Sequence, residues 1–229
     1  MTVVRLRRDE QVERNRRQLL AAARQVFLER GFHAASLDAI AEAAGFSKGV
    51  VYSQFESKAD LFLALLEERI EERASRNEEL AARASGSAGL EELIELQAQA
   101  AAAEPAWALL LLEFRLHAAR DPALNERYVR LHARTIERLA TTLDRMLART
   151  PGRTDGPPET MALFLLALGN GLALEDAASP GGLPSAEIRM LAARALGGDP
   201  RPAWPAASSE RRRTAPPRRP GPGRGRRTS

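Results

Sequence analysis

Cysteine is absent from this 229-residue chain. That excludes a disulfide framework, a thiolate metal site and a cysteine nucleophile, and it is compatible with a reducing compartment. Lysine is scarce: of 34 basic residues only Lys48 and Lys58 are lysines, the rest being arginines. Long apolar runs are missing too. The longest uncharged stretch, Thr160 to Leu174, has 15 residues, short of the roughly 20 that a membrane span needs, which predicts a buried helix and no membrane partner. The opening MTVVRLRRDE holds no apolar stretch of signal-peptide length, so a cytoplasmic protein is expected.

What is present is a 44% hydrophobic content, enough for a real core, and a divided charge. Residues 1–60 carry +2, residues 61–198 carry −5 and residues 199–229 carry +7, within a total of +4. An acidic middle would be repelled by nucleic acid, so any contact with DNA would come from the N-terminal region, with the basic tail able to add to it.

The periodicity is helical throughout, and no segment alternates with period two for long enough to make a strand. Leu19, Leu20, Ala23, Val26 and Phe27 mark a first helix, with Gly31 as its stop. Ser36 caps a second, whose inward stripe is Leu37, Ile40, Ala41 and Ala44; Gly45 permits the turn, and Ser47 caps a short third helix closed by Phe55. Ser57-Lys58-Ala59-Asp60 has capping-box form and opens a fourth helix to about residue 84. Further helices are expected near 88–103, 105–120, 122–149, 158–178 and 185–196, with Pro105, Pro122 and Pro158 in first turns. The fold class is all-α: a basic arm and the start of helix 1 at 1–17, a three-helix helix-turn-helix domain at 18–62, and a second helical domain at 63–198. A disordered Pro/Arg-rich basic tail is expected at 199–229.

Two short helical patterns broken by one glycine, with both lysines at or just past the second, are the layout of a helix that reads the major groove. Gly49 lets the backbone approach the duplex, Lys48 can reach a base edge or phosphate, and Val51 and Phe55 point inward. That leaves Lys48, Val50, Tyr52, Ser53 and Gln54 for the groove or its rims; Gln54 could bond adenine and Val50 could touch a thymine methyl. The run Ala22, Phe27, Gly31, Phe32, Ser36, Leu37, Ile40, Ala41, Ala44, Gly45, Phe46, Ser47, Lys48, Gly49, Val51, Tyr52, Phe55, Lys58 and Leu61 resembles the tetracycline-repressor-like (TetR) transcriptional regulators. The resemblance implies double-stranded DNA as partner, with Ser36, Leu37, Ser47, Lys48, Gly49, Val50, Tyr52, Ser53, Gln54 and Lys58 at the interface and with Tyr52 and Lys58 as phosphate clamps. Val50 and the pair Ser53-Gln54 depart from the family's usual residues, which bears on operator sequence.

In the second half, the 158–178 helix is apolar nearly all round, and Ala167 with Gly171 offers a small-residue line. A homodimer built on Leu165, Leu168, Gly171, Leu172, Ile188 and Leu191 is expected, and the resemblance favours a four-helix interface with the 185–196 helix. It also implies an effector cavity, for which Trp107, Phe114, His117, Tyr128, His132, Phe164 and Asn170 are candidate liners. An apolar lining with few fixed charges would suit a small hydrophobic or weakly polar effector. Glu113, His117 and His132 form the one grouping that resembles a metal or acid–base set, and they make a weak one; no catalytic residue, metal or cofactor is expected. The leading reading is a ligand-released repressor on a palindromic operator. A non-specific architectural DNA-binding protein and an all-α carrier or enzyme are the alternatives.

Overall fold

Ser36 and Ser57 set the frame of the N-terminal half. Each is extended, and each side chain accepts from the backbone N–H three residues on, Ala39 at 3.2 Å and Asp60 at 3.1 Å. Those bonds satisfy donors that a helix start leaves open and so fix where α2 and α4 begin. A computed structural model describes residues 8–148 and 156–197; the expected N-terminal arm up to residue 7 and the basic tail lie outside them. The described residues hold α1 (Arg8–Ala34), α2 (Leu37–Ala44), α3 (Lys48–Tyr52), α4 (Lys58–Arg83), α5 (Gly86–Ala103), α6 (Pro105–Ala118), α7 (Pro122–Leu147), α8 (Pro158–Ala178) and α9 (Ser185–Gly197). Among these residues there is no strand.

Gly45 ends α2 at φ 69° and ψ 26°, the left-handed conformation that a side chain would resist. Gly31 is different. It stays inside α1 but breaks it, at φ 74° and ψ 169°, a region that glycine alone occupies readily. The backbone N–H of Phe32 just beyond the break donates to Glu113 Oε2 of α6 at 2.8 Å.

Two apolar clusters organise the rest. The first joins α1, α2 and α3 to the first half of α4 and to α6 and α7, through Phe27, Phe32, Phe62, Phe114 and Trp107. Its rings pack in contact, Phe62 on Phe114 at 4.3 Å between centroids and Phe32 edge-on to Phe114 at 5.1 Å. A domain boundary at residue 62 thus falls inside both α4 and this cluster. The second cluster gathers Leu80, Leu90, Leu93, Leu143, Met146, Met161 and Leu196 from α4, α5, α7, α8 and α9. At about 1.5 Å per residue α4 is about 40 Å long and passes through both.

Charge reinforces the pairing of α4 with α7. Arg127 meets Asp60 at 2.5 Å, Arg134 meets Glu67 at 2.8 Å, and Arg138 meets Glu71 at 2.7 Å and Glu78 at 3.1 Å. Such half-exposed pairs each contribute at most about 1 kcal/mol, so they fix register more than they add stability.

One expectation is corrected. The 158–178 helix is not buried within the chain: only Met161 and Ala162 are, while Leu163, Phe164 and Leu174 are 48%, 43% and 52% exposed. α8 is the one helix among the described residues long and apolar enough to cross a membrane by length and composition.

Candidate nucleic-acid interface

The inner side of the reading head is set by Ile40, Ala41, Val51 and Phe55, all buried in one cluster with Leu19, Leu20 and Ala23 of α1. With those side chains turned inward, α3 must present its other side to solvent. Ser47, Lys48, Gly49, Tyr52 and Ser53 are exposed there and Val50 and Gln54 half-exposed. Tyr52, at 53% exposure, is a large aromatic surface with little packing of its own. A Cβ added at Gly49 would meet nothing nearer than Ser47 Oγ at 3.9 Å. Packing inside the chain therefore does not demand a glycine at this position.

Lys48 Nζ donates to Asp38 Oδ2 at 2.5 Å, a bond that ties α3 to the first turn of α2 and raises the lysine's pKa. Both groups are exposed, so a phosphate oxygen can displace the carboxylate at little cost. Ser53 Oγ donates to the carbonyl of Val50 at 2.8 Å, and Ser36 Oγ is engaged in its cap.

The structure places two of the expected contacts inside the chain and lacks one expected cap. Leu37 is 6% exposed and belongs to the core. Ser47 makes no side-chain cap bond to α3. Lys58 is the larger change: its ammonium donates to the carbonyls of Phe32 at 2.8 Å, His33 at 2.7 Å and Ala35 at 3.1 Å and lies 4.8 Å from the Phe32 ring centroid. All three protons close the end of α1, where the carbonyls carry the helix's negative pole, and none is left for a phosphate. Replacing it, as Lys58→Met, is expected to lower stability by about 1–3 kcal/mol and to leave the salt dependence of DNA binding unchanged. Melting curves and salt titrations read the two separately, and a shallower salt slope would return Lys58 to the interface.

Behind the head, an inner cavity of about 100 Å³ that opens towards solvent lies between α4, α5, α6, α7 and α8. Of the candidate liners, Trp107, Tyr128, His132 and Asn170 face it; Phe114, His117 and Phe164 do not. Phe114 is fully buried in the aromatic cluster, Phe164 is on the open side of α8, and His117 packs on Phe32 and His33 at centroid distances of 5.1 and 5.6 Å. Glu113 and His117 thus hold the break in α1 rather than gathering with His132. Tyr128 and His132 stack at 5.7 Å; burial raises the phenol's pKa and lowers the imidazole's.

Sequence reasoning missed the polar half of the lining: Arg69, Arg73 and Asn77 on one face of α4, Gln97 on α5, Arg115 on α6, and Thr135 and Arg138 on α7. The expectation of few fixed charges is corrected accordingly. The spacing 69, 73, 77 on α4 is a helical stripe, but among so many arginines it reads as solvated surface.

Two family profiles match these regions, one described as "Bacterial regulatory proteins, tetR family" over residues 19–65 and one as "BetI-type transcriptional repressor, C-terminal" over residues 86–198. The chain belongs to the tetR family. Members of this family are DNA-binding transcriptional regulators. The chain is 28% identical over 157 residues to the HTH-type transcriptional repressor AcnR of Corynebacterium glutamicum, covering 66% of this chain and 76% of that protein. It is 49% identical over 71 residues to the HTH-type transcriptional activator FasR of Mycolicibacterium smegmatis, a match that spans 31% of each protein's length. The fold aligns with the fatty acid degradation regulator FadR from Bacillus halodurans at a TM-score of 0.66 and 18% identity, covering 82% of this chain and 96% of that one. At that identity the likeness speaks for the fold.

Proposed function

We propose that this tetR-family regulator acts in the cytoplasm as a homodimeric repressor, which binds a palindromic operator through α3 and leaves it when a small molecule enters the cavity. The observation that carries the reading is the division of α3 and the residues just past it, with Val51 and Phe55 buried, Lys48, Tyr52 and Ser53 exposed, and Val50 and Gln54 half-exposed. Repression is favoured over activation because the broader match is to a repressor and the C-terminal profile is of a repressor type, whereas the activator match is a short one.

Dimerisation rests on α8. Leu163, Ala167, Gly171 and Leu174 follow helical spacing along its exposed side, and Leu191 of α9 is also exposed at 45%. Leu165, Leu168 and Leu172 are half-buried, with Leu165 and Leu168 packed on the second cluster, so α8 has one side on its own chain and one side open. A second copy covers such a face in a soluble regulator.

The test is competition between DNA from just upstream of the gene and random duplex at physiological salt. Preference for an inverted repeat is expected, and equal competition by random DNA would remove the reading. Gln54→Ala is expected to cost about 1–3 kcal/mol on the preferred site and to relax preference at one base pair of each half-site. An unchanged preference in a binding-site selection would take Gln54 out of base reading.

A further inference from the structure

The arginines of the cavity are not equally neutralised. Arg138 is paired with both Glu71 and Glu78, and Arg69 meets Glu104, a carboxylate that also serves Arg24. Arg115 lies over the Tyr128 ring at 5.7 Å and Arg69 over the Trp107 ring at 4.4 Å. Arg73 has no carboxylate partner among the described residues; its guanidinium donates to the Gln97 side-chain oxygen, and Gln97 donates in turn to Asn77 at 2.8 Å. Burial lowers the pKa of Arg73, with Arg76 adding to the effect, and burial lowers that of Arg69 to about 10, with repulsion from Arg73 and Arg24 adding to it. Arg69 Nε and Arg138 Nε are buried without a hydrogen-bond partner.

A guanidinium withdrawn from water and left without a counter-charge is destabilising, and folded proteins retain one where something else supplies the charge. Here the excess positive charge faces a cavity whose remaining walls are Leu66, Ile70, Leu111, Leu139 and the rings of Trp107 and Tyr128. We propose that the molecule this cavity takes is an organic anion: a carboxylate or phosphate group seats on Arg73 and Arg69, with Gln97 and Asn77 orienting Arg73, while its apolar part lies against Trp107 and Tyr128. A planar guanidinium offers two parallel N–H groups to such an oxyanion, which fixes its orientation as well as its charge. The proposal rests on the reading of the cavity as the effector site and narrows its chemistry.

The test uses the full-length protein and four probes at ~10 mM and constant ionic strength: hexanoate, inorganic phosphate, hexanamide and hexylammonium. Hexanoate or phosphate is expected to raise the melting temperature, and which of the two does so identifies the headgroup; hexanamide and hexylammonium are expected not to. Stabilisation by hexanamide equal to that by hexanoate, or no anion effect at all, would overturn the assignment. Arg73→Met is expected to weaken the anion response by about tenfold or more, and to melt no lower than the parent when ligand-free, because it removes a half-buried charge that has no carboxylate partner among the described residues. Arg73→Lys, which keeps the charge and loses the fork, is expected to fall between. Undiminished anion binding in both variants would remove Arg73 from the site. Operator release is read separately by anisotropy of labelled DNA. An anion that binds the free protein through Arg73 without releasing DNA would leave the anion site standing and remove the effector reading.

Discussion

Gly31→Ala is expected to lower the melting temperature by roughly 5–15 °C, a loss of about 2–5 kcal/mol. Two costs add. The residue sits at φ 74° and ψ 169°, where an L side chain is strained by about 1–3 kcal/mol. A Cβ there would also stand 2.9 Å from Glu113 Oε2 and 3.2 Å from Oε1. Relieving that contact moves the carboxylate that accepts from Phe32 N–H at 2.8 Å, and a half-buried amide left without its acceptor costs a further 1–3 kcal/mol or so. Glu113→Ala alone loses the acceptor but not the glycine, so its penalty should be smaller. In the double variant the clash has no partner, and the two losses should sum to less than their parts. Thermal melts of the four proteins complete the cycle; a shift below about 2 °C for Gly31→Ala would show that the corner yields more easily than its geometry implies.

That corner has a further role. Trp107, Leu111 and Arg115 of α6 line the cavity, while Phe114 joins the aromatic cluster and Glu113 and His117 hold the end of α1. One short helix therefore touches both the cavity and the element that packs against α2. A ligand that draws Arg115 or Trp107 inward can alter the seat of α1 without any change in α3 itself, which gives the two sites a physical connection through packed side chains.

The helix boundaries were legible because they depend on local chemistry: Ser36, Ser57 and Asp121 cap, Pro105, Pro122 and Pro158 start, and Gly45 turns. The exposed edge of α3 was legible for the same reason, since Val51 and Phe55 are four apart and one side of a short helix excludes the other. Lys58 was misread because its partners lie 23 to 26 residues upstream and are backbone carbonyls, which leave no mark in side-chain pattern. The cavity was half read. Aromatic liners stand out in a chain with 5% aromatics, whereas Arg69 and Arg73 are two of many arginines, and only the packing of α5 and α6 over α4 takes them out of water. α8 was read as apolar on all sides, correctly; that one side has nothing of its own chain to cover it is a property of the assembled helices.

Gly171→Arg follows from that uncovered side, and its expected result is a folded monomer that has lost at least about a hundredfold in operator affinity. A Cβ at Gly171 has nothing within 4 Å in the chain itself, so the substitution introduces no clash within the protomer. Arginine is also a better helix former than glycine, by about 0.5–1 kcal/mol, so α8 should be more stable, not less. Across a two-fold interface the picture reverses, because each copy would bring a charged side chain into the line where Ala167 and Gly171 allow two helices to approach, and the pair of charges would face each other without water. DNA binding falls with it. Two reading heads held together bind a two-fold site with an effective concentration that separate heads lack, and the loss of that linkage, rather than of any base contact, is what the affinity would report. Sedimentation or light scattering gives the oligomeric state, circular dichroism shows that α-helix content is retained, and anisotropy gives the affinity. A variant that stayed dimeric and bound the operator as before would place the contact between copies on another face; one that became monomeric yet bound with undiminished affinity would separate dimerisation from DNA recognition altogether.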